Sequence, residues 1–135
     1  MAVTPKPAND PAPNYERLQC RGQIKIGANV SVSLQTMHLD WGKWGTNPPS
    51  SLTGPSSANW MAQGRLSSAS GTEGYIVYTT SDNASFKLYF DVPYSGSNKA
   101  QFTCNGQGCS LYSYSVTPVS ESGDVIEPIY EINRK

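Results

Sequence analysis

From Gln23 to Leu34 the chain alternates strictly. Ile24, Ile26, Ala28, Val30, Val32 and Leu34 fall on one face, and Gln23, Lys25, Asn29, Ser31 and Ser33 on the other. A period of two sends successive side chains to opposite faces of an extended chain, so the pattern predicts one long half-buried strand, with Gly27 as the place for an interruption. Ser85–Val92 repeats it, with Phe86, Leu88, Phe90 and Val92 inward and Ser85, Lys87, Tyr89 and Asp91 outward. Tyr75–Thr80 reads as the strand before it, joined by a turn at Ser81-Asp82-Asn83. Further strands are predicted at Ala100–Cys104, Leu111–Val116 and Val125–Ile132. Pro128 places the last at a sheet edge, because proline has no N–H for a ladder. No window shows a helical period. Many short strands punctuated by Gly, Pro, Asn and Ser predict an all-β fold, a two-sheet antiparallel β-sandwich.

Two stretches break the alternation. Residues 1–19 hold Pro5, Pro7, Pro11 and Pro13 among small polar residues. Such a segment buries too little apolar surface to offset its ordering entropy, which predicts a flexible Pro-rich arm ahead of a single β-sandwich domain at 20–135. The second stretch, Trp41–Met61, is turn-rich, holds Trp41, Trp44 and Trp60, and carries Pro48-Pro49 against regular pairing. Either the three indoles cap one end of the sandwich, or they form an aromatic binding surface of the kind that suits membrane–water interfaces and sugar sites.

Composition narrows the partners. Ten Lys and Arg balance ten Asp and Glu, and charged residues are only 15% of the 135. That balance removes the long-range field that nucleic-acid binding and polybasic lipid anchoring draw on. No segment reaches the roughly 18–20 apolar residues of a spanning helix. The N-terminus has no apolar core of a signal peptide, which predicts a protein secreted or released without a recognisable signal. Cys20, Cys104 and Cys109 are an odd set: CNGQGC could close a small disulfide loop, or all three thiols stay reduced. A zinc site from these cysteines and His38 fits no standard spacing.

Little of the sequence reads as catalytic. His38 is the single histidine, with Asp40 two residues on, but no GxSxG elbow accompanies them. None of the acids sits in a glycosidase or calcium-loop pattern, and there is no P-loop or dinucleotide fingerprint. The reading is a non-enzyme without metal or cofactor. Glu73, between Gly71 and Gly74 in SGTEGYIVY, reads as turn chemistry, with its carboxylate meeting exposed backbone N–H groups. Tyr75, Tyr78, Tyr89, Tyr94, Tyr112 and Tyr114 lie on or beside strands, where a ring with a wet hydroxyl suits a lipid headgroup or a glycan, or pairs across strands. Asn29 and Asn83 each begin an N-glycosylation triplet.

Several motifs in one order resemble the aegerolysin family: Gly42-Lys43-Trp44 with Pro48, then Gly71–Gly74 (GTEG), then Tyr89–Lys99 (YFDVPYSGSNK) with Pro93 and Gly96. The similarity covers about 29–116 and is nearest to the small aegerolysin-like component of binary insecticidal toxins. Sea-anemone pore formers (actinoporins) show a looser likeness in the SDN and VPY runs. The resemblance implies a β-sandwich that recognises sphingolipid- or sterol-rich membrane at the target cell. It also implies pore formation with a larger partner protein, activity against insect gut cells in some members, and room for homo-oligomers. It further implies lipid contacts at the WGK tryptophan, the position before GT and the aromatic after the hairpin proline. Those places hold Trp41, Ser70 and Tyr94, with Trp44 and Trp60 alongside. Family members with an acid before GT differ here, since Ser70 stands in its place. The alternative is a lectin-like module that binds a surface glycan or a protein through the same aromatic loops, without pore formation.

Overall fold

The computed structural model describes residues 14–135. After a 3-10 turn at Tyr15–Arg17 come β1 (Gln19–Ile26), β2 (Ser31–Trp41), β3 (Lys43–Thr46), β4 (Ser51–Thr53), β5 (Ser56–Gln63) and β6 (Thr72–Thr79). β7 (Ser85–Val92), β8 (Lys99–Asn105), a second 3-10 turn (Gln107–Leu111), β9 (Tyr112–Val116), β10 (Val125–Ile126) and β11 (Ile129–Arg134) follow. Two sheets form a sandwich. One runs β3-β5-β1-β11-β9, with β10 also on β1, and the other runs β4-β2-β6-β7-β8.

The all-β sandwich is as the alternation predicts, with β7 on the residues expected. Four details differ. The long strand at 23–34 is two strands in different sheets. The chain turns at Asn29, whose φ of 65° is left-handed, and carries the same inward period around the corner, burying Ile24 and Ile26 before it and Val30 and Val32 after it. Trp41–Met61 is more regular than its turn residues suggest. Pro48-Pro49 falls between β3 and β4, where the chain passes from one sheet to the other. The sandwich is also not purely antiparallel, since β1 pairs parallel with both β10 and β11. Finally, Pro128 does not mark an edge. It splits the expected strand into β10 and β11 because it cannot donate to the ladder, while its carbonyl accepts from Gln23 N at 3.0 Å. β11 then runs in the sheet interior, between β1 and β9.

The expected arm boundary at residue 19 falls within the fold, since Tyr15–Arg17 and the start of β1 are ordered parts of the sandwich. The rest of the expected arm, residues 1–13, lies outside the described residues.

The core lies between the sheets. Ile24, Ile76, Phe86, Leu88, Phe90, Val92, Tyr130 and Ile132 are fully buried in it. Trp60 sits at its centre, 1% exposed, with ring centroids 5.0 Å from Phe90, 6.1 Å from Tyr130 and 6.2 Å from Trp44. Its cross-strand partner is Gly22, and a Cβ there would stand 2.2 Å from the indole. Glycine at 22 is what admits the ring.

The end of the sandwich where β6 meets β7 is tied down by polar and covalent links. Asp82 accepts hydrogen bonds from Thr80 Oγ1, Tyr112 Oη and an Arg134 guanidinium nitrogen, at 2.5, 2.8 and 2.9 Å. These hold its carboxyl down at about pKa 2, Thr80 contributing most. Arg134 Nε also donates to the Asn29 carbonyl at 3.1 Å. Cys104 and Cys109 form a disulfide in the same region, which resolves the open choice for these thiols and removes two of the three from any zinc site. The third, Cys20, is buried in the core.

Candidate functional site

The opposite end is built differently. It gathers the corner between β2 and β3, the 3-10 turn at Tyr15–Arg17, the 64–71 loop and the β7–β8 loop. A bulge between Leu39 and Trp41 shifts the β2–β6 register and sets Trp41 opposite Glu73. Such a bulge re-aims the side chain that follows it. Gly42 then turns the chain with φ +99°, where a Cβ would meet Thr72 Oγ1 at 2.6 Å. Thr72 Oγ1 in turn donates to the Trp41 carbonyl at 3.2 Å. Across that strand, Gly71 (φ +75°) lies so close to the end of β7 that a Cβ would stand 2.2 Å from the Val92 carbonyl and 2.9 Å from Tyr94 N. Tyr94 is met edge-on by Tyr15 at 5.2 Å, and Tyr15 N donates to the Leu66 carbonyl at 3.4 Å. The 3-10 turn is held to β3 by the Lys43–Glu16 ion pair.

Trp41, Leu66 and Tyr94 are, among the described residues, the most exposed large apolar side chains, at 54, 54 and 53%. All three belong to this one end. Ser70 lies within it, its hydroxyl 2.9 Å from that of Ser68. The structure therefore places Trp41, Ser70 and Tyr94 on neighbouring segments of one rim. It does not bring the other two tryptophans there. Trp44, on the far side of Gly42, is half-buried with its ring 6.1 Å from Phe90. The candidate role of Trp60 is corrected outright: a ring buried between the sheets has no face for a ligand. Tyr15 and Leu66 were missed by sequence reasoning, one at the end of the proline-rich stretch and the other a lone apolar residue in a polar loop.

Glu73 is also corrected. It belongs to β6, not to a turn, and its carboxylate accepts a hydrogen bond from the Tyr89 hydroxyl of β7. Of the two glycines around it, Gly71 serves the turn. Gly74 serves close approach, since a Cβ would stand 2.1 Å from the His38 carbonyl. On the outer face the pairing sets Trp41, Glu73, Asp91 and Lys99 in one row across four strands. Burial, and then the neighbouring Glu73 charge, push the Asp91 carboxyl up to about 6, against a smaller opposing pull from Lys99. The Tyr89 hydroxyl is pushed up by burial and by its bond to Glu73.

This row has a pH consequence. Between the ordinary value of 3.8 and about 6 the folded chain holds a proton on Asp91 that the unfolded chain has released. Stability therefore falls as pH climbs through that window, and the cost is fully present above it. Asp91→Asn removes the buried charge. It is expected to raise the melting temperature at neutral pH by about 4 °C or less, on a scale of about 1 kcal/mol, and to leave it unchanged near pH 4. Thermal melts across the two pH values check this, and an equal effect at both would refute it.

His38 and Asp40 do pair, Nε2 to Oδ1 at 3.0 Å, on the exposed surface with the imidazole 5.3 Å from the Tyr75 ring. Among the described residues no hydroxyl hydrogen-bonds His38, and no cluster of three or more His, Cys, Asp or Glu is placed to hold a metal. Of the tyrosines singled out, Tyr78 is a core anchor donating to the Pro49 carbonyl at 2.7 Å, and Tyr112 serves the Asp82 network.

The sequence matches the family described as Aegerolysin over residues 22–130. The chain belongs to the aegerolysin family. Three solved structures share this aegerolysin's fold. IP-1A from Alcaligenes faecalis is 20% identical with a TM-score of 0.73, covering 90% of this chain and 94% of its own. RahU, solved with a TRIS molecule, is 18% identical at 0.72, covering 89% and 97%. Nakanori, described as a lipid binding protein, is 11% identical at 0.70, covering 94% and 74%. Among curated proteins, none matches the sequence at a significant level. The aegerolysin match takes in the bulged corner at Trp41, the GTEG strand and the Pro93-Tyr94 loop, so the rim described above is made largely of family-matched segments, with Tyr15 added from outside them.

Proposed function

We propose that this aegerolysin docks on lipid membranes by its aromatic end, with Trp41, Leu66 and Tyr94 entering the interfacial layer. The observation that carries the reading is the gathering of these exposed apolar side chains on one rim of a rigid sandwich that has no net charge. A neutral protein gains little from anionic lipid, so affinity falls to rings that bury their apolar bodies and keep a polar edge wet. That Nakanori, which shares this fold, is described as a lipid binding protein supports the same reading. Sphingolipid- or sterol-rich membrane is the proposed target, because ordered lipid offers a defined surface to a shallow rim.

The proposal extends to a division of labour. Each strand is committed to one of two sheets, and the disulfide and the Asp82 network lock the far end. Docking is this chain's part, and a larger partner protein supplies the pore. The disulfide suits an oxidising setting outside the cell, where such a target lies. Co-sedimentation with vesicles of phosphatidylcholine, alone and mixed with sphingolipid and sterol, tests the reading. Binding to the mixed vesicles without release of trapped dye is expected. Absence of binding across the whole series would sink it, and dye release by this protein alone would remove the partner from it.

A further inference from the structure

We infer that the outer face of the six-stranded sheet holds a second binding site, for a neutral oligosaccharide, separate from the lipid-facing end. There β3, β5, β1 and β11 run side by side. A cavity of about 420 Å3 opens there over the backbone of Gly22, and a second of about 300 Å3 follows it around Lys25, Ser57 and Glu131. The two are in line. Arg21, Gln23 and Lys25 alternate outward along β1 and are paired in turn with Met61, Asn59 and Ser57 of β5. The trough thus extends about 13 Å along the strand.

The lining selects the ligand class. Arg21, Gln23, Asn59 and Glu127 present planar forks, and Thr46 adds a hydroxyl. A fork spans two adjacent hydroxyls of a sugar ring, donating to one and accepting from another in the case of an amide. Met61 and Ile129 add apolar surface on which the C–H face of a pyranose can rest. Among the described residues the one side-chain hydrogen bond this group makes is Arg21 Nε to Gln19 Oε1, at 2.8 Å, so its remaining capacity is unspent. Charge excludes the competing class. Arg21 and Lys25 are matched by Glu127 and Glu131 across the same trough, which leaves no net field for a phosphate or a polyanion. A polyol needs none. Two cavities in line suit successive sugar units better than a single one.

The site is independent of docking. Gln19 and Gln63 mark the row nearest the aromatic rim, and the trough begins at the next outward row, Arg21 and Met61, and runs away from it. A molecule seated by Trp41 and Tyr94 would keep the trough open on its flank, within reach of glycans that stand up from the same surface.

Saturation-transfer NMR with free di- to tetrasaccharides of the gluco, galacto and N-acetylglucosamine series tests this on the intact protein, with vesicle binding measured in parallel. Transfer to at least one series is expected. The double variant Asn59→Ala/Glu127→Gln is expected to weaken it about tenfold or more while vesicle binding persists. Trp41→Ala is expected to leave it unchanged. Both trough residues are exposed, so the melting temperature should hold. Chemical-shift changes in the unmodified protein, expected at amides of β1 and β5, give a check free of mutation. No transfer to any series would overturn the inference, as would transfer that survives the double variant or disappears with Trp41→Ala.

Discussion

Trp41→Ala is expected to lower partitioning onto sphingolipid- and sterol-containing vesicles by about four- to fifteenfold, with no change in melting temperature. Full burial of a large apolar side chain is worth about 1.5–3 kcal/mol, and each 1.4 kcal/mol is a factor of about ten in affinity. Trp41 leaves 54% of its surface in water in the free protein, so about half of that burial is available to the membrane, and Trp41 is not among the buried core residues. Tyr94→Ala is expected to act in the same direction. Its ring already leans on Tyr15, which makes part of its effect a loosening of the rim. Vesicle titration followed by tryptophan fluorescence measures both. A Trp41→Ala protein that binds as the original does would relegate this ring to packing and move the docking face elsewhere.

Trp60→Ala should have the opposite profile. Removal of a fully buried indole from among Phe90, Tyr130 and Trp44 is expected to cost about 3–5 kcal/mol in urea unfolding, because the cavity left by an aromatic ring is filled only in part. The fraction that stays folded should bind vesicles as before. Gly22→Val attacks the same contact from the other strand, since its Cβ would overlap the indole at 2.2 Å. A Trp60→Ala protein that is fully stable but no longer binds lipid would contradict the placement of this ring in the core.

These two tryptophans show what the sequence could and could not convey. Their local contexts look alike, each in a polar, small-residue neighbourhood, and composition assigns both to one aromatic surface. What separates them is registry. Trp60 falls on the inward beat of β5 opposite a glycine, whereas Trp41 follows a bulge that breaks the beat of β2. A bulge leaves no compositional trace, so only the resemblance of its WGK motif could set Trp41 apart from the other tryptophans of that surface. The strand pattern was legible wherever one face is apolar and the other polar, as in β7. It misled at Asn29, where the same inward period runs on through a corner between sheets. Glu73 was misread because the glycines beside it look like turn residues, while Gly74 is in fact required by the tight passage of β2. The rim as a unit was not legible. Tyr15 and Leu66 reach it through backbone contacts between distant segments, which no single stretch of sequence encodes.

The parallel pairing of β1 with β11 joins residues such as Gln23 and Ile129, more than a hundred positions apart. Closing so long a loop must be achieved before the contact repays it, so this seam should be the slowest part of the molecule to form. β6, β7 and β8, each paired to its neighbour in sequence, can assemble much earlier. During synthesis the six-stranded sheet has to wait, with the edge of β1 that β11 will occupy left without that partner, until nearly the whole chain has emerged. Pulsed hydrogen exchange during refolding should therefore find β6 and β7 amides protected before those of β1. Simultaneous protection would indicate that both sheets close in one step.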